Sequence, residues 1–332
     1  MLPGRCLFLF ETSQILYCLE IPTDSHVDAV VTFCIFTINI SQTDKNMNLN
    51  YLSKEKINSF IKLALEEDLG EGDHSSLASI GSDVQNKAQL IIKDDGIIAG
   101  IELSTYIFHA VDPNLKVELL VNDGDKVKYG DIGLYVAGNA QSILSAERLV
   151  LNCMQRMSGI ATFTRDLTNI IKGTNAKLLD TRKTTPNFRM MEKWAVAIGG
   201  GHNHRYGLYD MIILKDNHVD YAGGIEKAIN QTNVYLKKKN LNLKIEVETR
   251  NLEEVKEVLT TGHVDRIMLD NMSPALMKEA VALIDRRFET EASGGINVSN
   301  IRAAAESGVD YISVGALTHS IKSMDISLKA MN

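Results

Sequence analysis

Between residues 53 and 68, apolar side chains return every three or four positions: Ile57, Phe60, Ile61, Ala64 and Leu65. That spacing lines one face of a helix. Ser53 offers a capping oxygen at its start, and Gly70 and Gly72 end it. From 87 to 138 the rhythm shortens to β-like runs broken by turns, "AQLIIKDDGIIAGI" and "KVELLVNDGDKVKYGDIGLYVAG". These predict a small sheet with tight turns, partnered by the helix over 53–68 and another over 102–111. A long helix follows at 140–157, carrying Ile143, Leu144, Leu149, Leu151 and Met154. Ser158-Gly159 is expected to break it before a further helix to about residue 172.

After residue 175 the pattern changes again. Short apolar runs at 176–180, 211–215, 243–248, 266–270, 288–293 and 311–315 alternate with helical stretches such as 251–261 and 274–287. The last four runs recur roughly every 22 residues, a βα-unit spacing. Such alternation predicts a parallel sheet, and a barrel is its natural closure. Six strands are visible where a closed barrel needs about eight, so an open, incomplete barrel is expected.

Composition limits the possibilities. With 332 residues, 45% hydrophobic and 23% charged, the chain can bury one large or two ordinary domains. A net charge of −7 argues against a general nucleic-acid surface. The basic run Lys237–Lys239 fits the end of a solvated helix. Cys6, Cys18, Cys34 and Cys153 form no C-x-x-C pair or zinc spacing, which predicts a reduced, cytoplasmic protein. Residues 1–46 differ in composition, resemble no good signal peptide and hold no run long enough to cross a bilayer, so no membrane role is expected. Met47 opens an ordinary domain start and is expected to be the natural initiator.

In a βα barrel, chemistry sits at the C-terminal ends of the strands. Here those ends read Asp180-Thr181-Arg182-Lys183, Lys215-Asp216-Asn217, Glu248, Asp270-Asn271, Ser293-Gly294-Gly295 and Val314-Gly315. Charge after charge falls at one mouth. Arg182, Lys183, Arg205 and Lys215, with His204, make a cationic set suited to a polyanion. Glu248 and Asp270 end successive strands, fit for Mg²⁺ held through oxygen and water. The "SGGI" and "VGALTH" turns suit phosphate on backbone N–H groups. The expected ligands are an anionic small molecule and a phosphorylated, magnesium-bound one.

Other readings weigh less. "GGGHNHR" is neither a P-loop nor a dinucleotide fingerprint. His202 and His204 lack a matching carboxylate spacing for a metal. Lys215 could serve as a Schiff-base lysine. "NDGDKVKYGDIG" looks like a biotinyl-carrier turn without its lysine hairpin.

The segments "LDTRKTTPNFR", "WAVAIGGGHNHRYGLYDMIILKDNHV", "EVET", "IMLDNMSP", "EASGGIN" and "YISVGALTHS" closely resemble quinolinate phosphoribosyltransferase, also called carboxylating nicotinate-nucleotide pyrophosphorylase. "ALEEDLGEGDHSS" and "ERLVLNCMQRMSGIAT" carry the likeness upstream, with Ser75 where a threonine is usual. The resemblance runs from about Met47 to the C-terminus. It implies a step of de novo NAD biosynthesis: quinolinate and 5-phosphoribosyl 1-diphosphate give nicotinate mononucleotide, diphosphate and carbon dioxide. It implies a type II phosphoribosyltransferase-like α/β fold. An N-terminal α/β sandwich (47–157, with the tail 319–332) precedes an open parallel α/β barrel (158–318), and 1–46 stands as an extension. It also implies a homodimer or an assembly of dimers.

Residue roles carry over by position. Arg148, Arg182, His204, Arg205 and Lys215 match the quinolinate side, with Arg148 shared across the dimer interface. Lys183, Glu248, Asp270, Ser293, Gly294, Gly295, Gly315 and His319 match the donor side, with Glu248 and Asp270 nearest the ribose and Mg²⁺. Lys183, Lys215, Glu248 and Asp270 are the expected catalytic groups. Three alternatives stay open: a paralogous transferase for another acid, a lyase using Lys215 covalently, and a silent binding protein. The two-carboxylate cation set disfavours the first. Borohydride trapping tests the second, and the third predicts binding without diphosphate release.

Overall fold

The computed structural model describes residues 49–331. Met47, the 1–46 stretch and its three cysteines lie outside the described residues. Helix α1 (Lys54–Leu69) starts on Ser53, whose side chain accepts the Lys56 N–H, and ends on Gly70 at φ 50°. Then come α2 (His74–Ser79), β1 (Gln85–Ile92), β2 (Gly96–Ile97), α3 (Ile101–Val111), β3 (Lys116–Leu119), β4 (Lys126–Val127) and β5 (Ile132–Asn139). The order β12-β1-β5-β3 makes a four-stranded antiparallel sheet, in which β12 is the chain's last strand, Ile326–Ala330. Leu90 of β1 faces Leu134 on one side and Leu328 on the other. The first sheet therefore closes only when the C-terminus returns to it.

Helix α4 runs unbroken from Ala140 to Ile170. The expected break at Ser158-Gly159 is not made. Ser158 is buried, its hydroxyl bonded to both the N–H (2.9 Å) and the carbonyl (3.1 Å) of Ala99. A side chain at Gly159 would meet the Lys322 carbonyl. The pair marks where two segments press against the helix, and packing outweighs the ~1 kcal/mol propensity cost of a mid-helix glycine. The boundary expected at 157/158 falls inside this helix.

The second half alternates as its periodicity predicts. It comprises β6 (Lys177–Leu179), α5 (Arg189–Ile198), β7 (Ile212–Leu214), α6 (Asp216–Ala222), α7 (Ile225–Lys239), β8 (Ile245–Thr249), α8 (Leu252–Thr261), β9 (Arg266–Asp270), α9 (Pro274–Ile284), β10 (Glu289–Ser293), α10 (Ile301–Glu306), β11 (Tyr311–Ser313) and α11 (Ala316–His319). The strands lie in the order β6-β11-β10-β9-β8-β7, with parallel neighbours. That is barrel order, with β6 and β7 as its two edge strands among the described residues. Among the described residues a parallel bridge from Leu179 to His202 extends the β6 side. Ile245, Val247, Ile267, Leu269 and Ala292 point outward and are buried, under helices that bring Val255, Val258, Met277 and Ala280. Each such large aliphatic contributes about 1.5–3 kcal/mol by leaving water. The alternate positions point into the barrel and carry its polar chemistry.

Candidate active site

A cavity of about 840 Å³ opens at the C-terminal ends of the barrel strands. Arg182, Lys183, His204, Arg205, Lys215, Glu248, Asp270, Ser293, Gly294, Gly295, Gly315 and His319 line it. Arg148 does not: it is exposed on α4, away from this lining. The other expected site residues, which are scattered over 138 positions of sequence from Arg182 to His319 counted inclusively, meet at one mouth.

A buried carboxylate brings the cationic segments together. Asp180 is inaccessible to solvent and accepts from Lys193 of α5, from the Asn203 amide (2.6 Å) and from the His204 N–H (2.9 Å). Burial pushes Asp180 up and Lys193 down, and each opposes the other's shift by its charge. Three donors on one carboxylate show a pocket built for the anion. This stitch holds Arg182 and Lys183 beside His204 and Arg205. The Arg205 guanidinium, which donates to the Met211 carbonyl at 2.9 Å, has its pKa lowered by burial and then by Arg182. Two guanidiniums crowded at a cavity wall are a receptor for carboxylates.

A second guanidinium hub fixes the same loop from below. Arg156 of α4 donates to buried Glu192 (2.7 Å), to the Thr185 hydroxyl (3.1 Å) and to the Thr318 carbonyl (2.7 Å). Glu192 also accepts the Thr185 N–H (3.1 Å), and the Thr318 hydroxyl donates to the Lys183 carbonyl (2.7 Å). Neither Arg156 nor Glu192 was an expected site residue. Arg156 lies mid-helix and Glu192 in the first turn of α5, places where a charge reads as solvated surface or as a helix-end charge.

The acidic half lies opposite. Lys215 donates to Glu248 at 2.9 Å, and burial and then Glu248 raise the Asp270 pKa. Two carboxylates thus face each other across a part-buried wall with one lysine on them. That surplus of negative oxygen fits a divalent cation. Beyond them, Gly294 and Gly295 take φ 85° and 61°, and a side chain at Gly315 would come within 2.9 Å of Lys183 Cδ. The glycines keep backbone open to a ligand on this wall of the cavity.

Beneath the mouth lies a layer that the strand-end reading missed. Glu246 and Glu291 are inaccessible to solvent, and His204 Nε2 lies 3.1 Å and 3.3 Å from their carboxylates. Arg266 pairs with Glu291 at 2.9 Å and Glu289 at 3.1 Å and sits 4.0 Å from the Tyr311 ring centre. Glu246 precedes Glu248 by two, and Glu291 precedes Ser293 by two. Strand period therefore puts them on the same inward face, and that was the signal available.

Burial would lower the His204 pKa, but the two glutamates lift it to about 9. Burial and Glu291 lift Glu246 to about 7, whereas Glu291 falls to about 2 because His204 and Arg266 outweigh its burial. The Arg205 N–H reaches His204 Nδ1 at 2.7 Å, so a fully cationic ring must give up that bond. The cluster thus holds its extra proton jointly, up to between about 7 and about 9. The same bond disfavours a metal on this His-Glu-Glu group. Nδ1 is an acceptor, so Nε2 keeps its hydrogen, and Arg266 already pairs with Glu291.

Comparison with known proteins agrees with this geometry. Residues 73–158 match the N-terminal domain of quinolinate phosphoribosyl transferase and residues 160–329 match its C-terminal domain. The mitochondrial quinolinate phosphoribosyltransferase [decarboxylating] 2b of Nicotiana tabacum is 51% identical over 284 residues, covering 81% of this chain and 80% of that one. The chloroplastic carboxylating nicotinate-nucleotide pyrophosphorylase of Arabidopsis thaliana is 50% identical, covering 81% of each. The crystal structure of NadC from Streptococcus pyogenes superposes with a TM-score of 0.79 at 38% identity, over 85% of this chain and 99% of that one. The cytoplasmic location expected from the cysteines is overturned here: these two plant relatives are mitochondrial and chloroplastic. Reduced thiols report redox state, which several compartments share. No helix among the described residues is long and apolar enough to cross a membrane. By sequence over most of its length and by fold, the chain belongs to the quinolinate phosphoribosyltransferase family.

Proposed function

We propose that this chain transfers phosphoribose from 5-phosphoribosyl 1-diphosphate to quinolinate, releasing diphosphate and carbon dioxide and leaving nicotinate mononucleotide, in de novo NAD biosynthesis. The observation that carries this reading is one cavity with a cationic wall and an acidic, glycine-turned wall. Quinolinate brings two carboxylates to Arg182, Arg205 and Lys215, with His204 beneath them. Its ring nitrogen is a weak nucleophile, so these residues must aim it at the ribose carbon. Lys183, His319 and the turns at Ser293–Gly295 and Gly315 take the phosphates, while Glu248 and Asp270 take the ribose hydroxyls. Mg²⁺, held by Glu248 and Asp270 partly through water, would neutralise the departing diphosphate. The ribosylated nitrogen is cationic, so the adjacent carboxylate leaves with the ring as electron sink. Lys215 acts through its charge, shared between Glu248 and the substrate, and needs no covalent role.

The test is formation of nicotinate mononucleotide from quinolinate, donor and Mg²⁺, with nicotinate as control. Equal turnover of nicotinate would overturn the assignment.

The chain acts as a homodimer or an assembly of dimers in this reading, and Arg148 completes the neighbouring site. Its position on α4 outside the cavity supports this. Arg148→Ala and Lys215→Ala homodimers should each be nearly inactive. Refolded together, about half the dimers are mixed and roughly a quarter of the sites recover by symmetry. No recovery, with subunit exchange verified by mass, rejects the shared site.

A further inference from the structure

We propose that Asn271 is a positioning residue of the donor half of the cavity: its side-chain amide holds the Asp270 carboxylate in place, and its left-handed backbone docks the turn after β9 against the turn after β10. The role rests on the phosphoribosyl-transfer reading above. Six non-glycine residues have positive φ among the described residues, and of these Asn271 alone lines the cavity. Its φ is 54°, a conformation that disfavours most side chains and that asparagine tolerates better. It is exposed, so core packing does not impose that conformation. Strain kept at a cavity wall marks a functional constraint.

Three contacts show what the strain secures. Asn271 Nδ2 donates to Asp270 Oδ2 at 2.6 Å. Its backbone N–H donates to the Ser293 carbonyl at 2.9 Å, one step past the Asp270–Ser293 pair that ends the β9–β10 ladder. Its side chain lies over Gly294, where a Cβ would meet the Asn271 amide and sit 2.8 Å from its backbone nitrogen. Asp270 faces the like charge of Glu248, and Lys215 is already bonded to Glu248. The Asn271 amide is the neutral donor that keeps Asp270 from swinging away from that neighbour. One residue thus ties the acid that reads the ribose to the turn that reads the phosphate.

The variants separate amide from backbone. Asn271→Gly keeps the left-handed turn and removes the amide, and Asn271→Asp keeps the shape but turns a carboxylate toward Asp270. Readouts are KM for each substrate, calorimetric binding of 5-phosphoribosyl 1-diphosphate with Mg²⁺, and Tm. Asn271→Gly should raise the donor KM and Kd about tenfold, as expected for one lost charge-assisted hydrogen bond. The quinolinate KM should stay within about twofold and Tm within a few degrees of wild type. Asn271→Asp should weaken donor binding further. A merely structural turn residue predicts Asn271→Gly at wild-type donor binding, and that result overturns the proposal. Equal rises in both KM values also overturn it. Failure of the wild-type chain to form nicotinate mononucleotide would instead sink the reading beneath it.

Discussion

Two charged layers share this barrel and differ in how their charges are met. At the mouth, Arg182, Lys183, Lys215 and His319 are exposed on a wide cavity, and Lys215–Glu248 is the ion pair among them. One layer down, His204, Glu246, Glu291 and Arg266 are buried or nearly so, and face one another. Asp180 and Lys193 do the same on the adjoining wall. Charge left open where water and substrate enter is a receptor. Charge closed upon itself in the interior is scaffold, because leaving a buried ion unpaired costs several kcal/mol. The same residue types therefore have opposite duties within two strand positions.

The largest expected effect breaks the lower layer. Arg266→Leu leaves buried Glu291 without its guanidinium partner and should lower stability by about 3–5 kcal/mol. Urea unfolding measures this, and a midpoint equal to wild type would show that the layer is not scaffold. Next come the mouth charges. Arg182→Ala should mainly weaken quinolinate binding, and Lys183→Ala should mainly impair the donor and turnover. Each should lose about 2–5 kcal/mol of transition-state stabilisation by kcat/KM, with urea midpoints near wild type. Large destabilisation by either would erase the contrast between layers.

A smaller effect follows from protons. His204 at about 9 and Glu246 at about 7 both lie above their ordinary values, so the folded state holds protons that the unfolded chain has released. The Glu246 contribution is whole below pH 4.5 and fades through 7; that of His204 is whole below 6.5 and fades through 9. Glu291, held near 2, has the opposite sign and weakens the fold only as pH falls below 4.5 toward 2. Stability, and Tm with it, should therefore decline from pH 6 to 9, by about 3 kcal/mol for the one proton the cluster shares. Glu246→Gln should flatten the decline and Arg182→Ala should not. A flat wild-type profile would dissolve the link between the lower layer and pH. The smallest effect concerns Asp270→Asn, which should raise the Mg²⁺ needed for half-maximal rate several-fold while leaving the quinolinate KM near wild type. An unchanged magnesium titration removes Asp270 from the donor side.

Some of this was readable from the chain alone. Helix and strand positions follow from spacing, because each element must turn one apolar face to a core. The strand ends Lys215, Glu248 and Asp270 could be named because a parallel barrel places its chemistry there. What spacing could not give was partnership. Ser158-Gly159 reads as a helix break, and only the approach of Ala99 and Lys322 makes it a contact. Arg156 and Glu192 read as surface charges until three segments close around them. Glu246 and Glu291 sit in runs whose inward face was visible, yet whether a glutamate there is receptor or scaffold depends on Arg266 and His204, which are distant in sequence. Local pattern is set by neighbours within a few residues, so sequence alone determined most of the elements and the strand ends that line the barrel mouth. The state of a buried charge is set by whatever the fold brings within a few ångströms, and that only the tertiary structure decided.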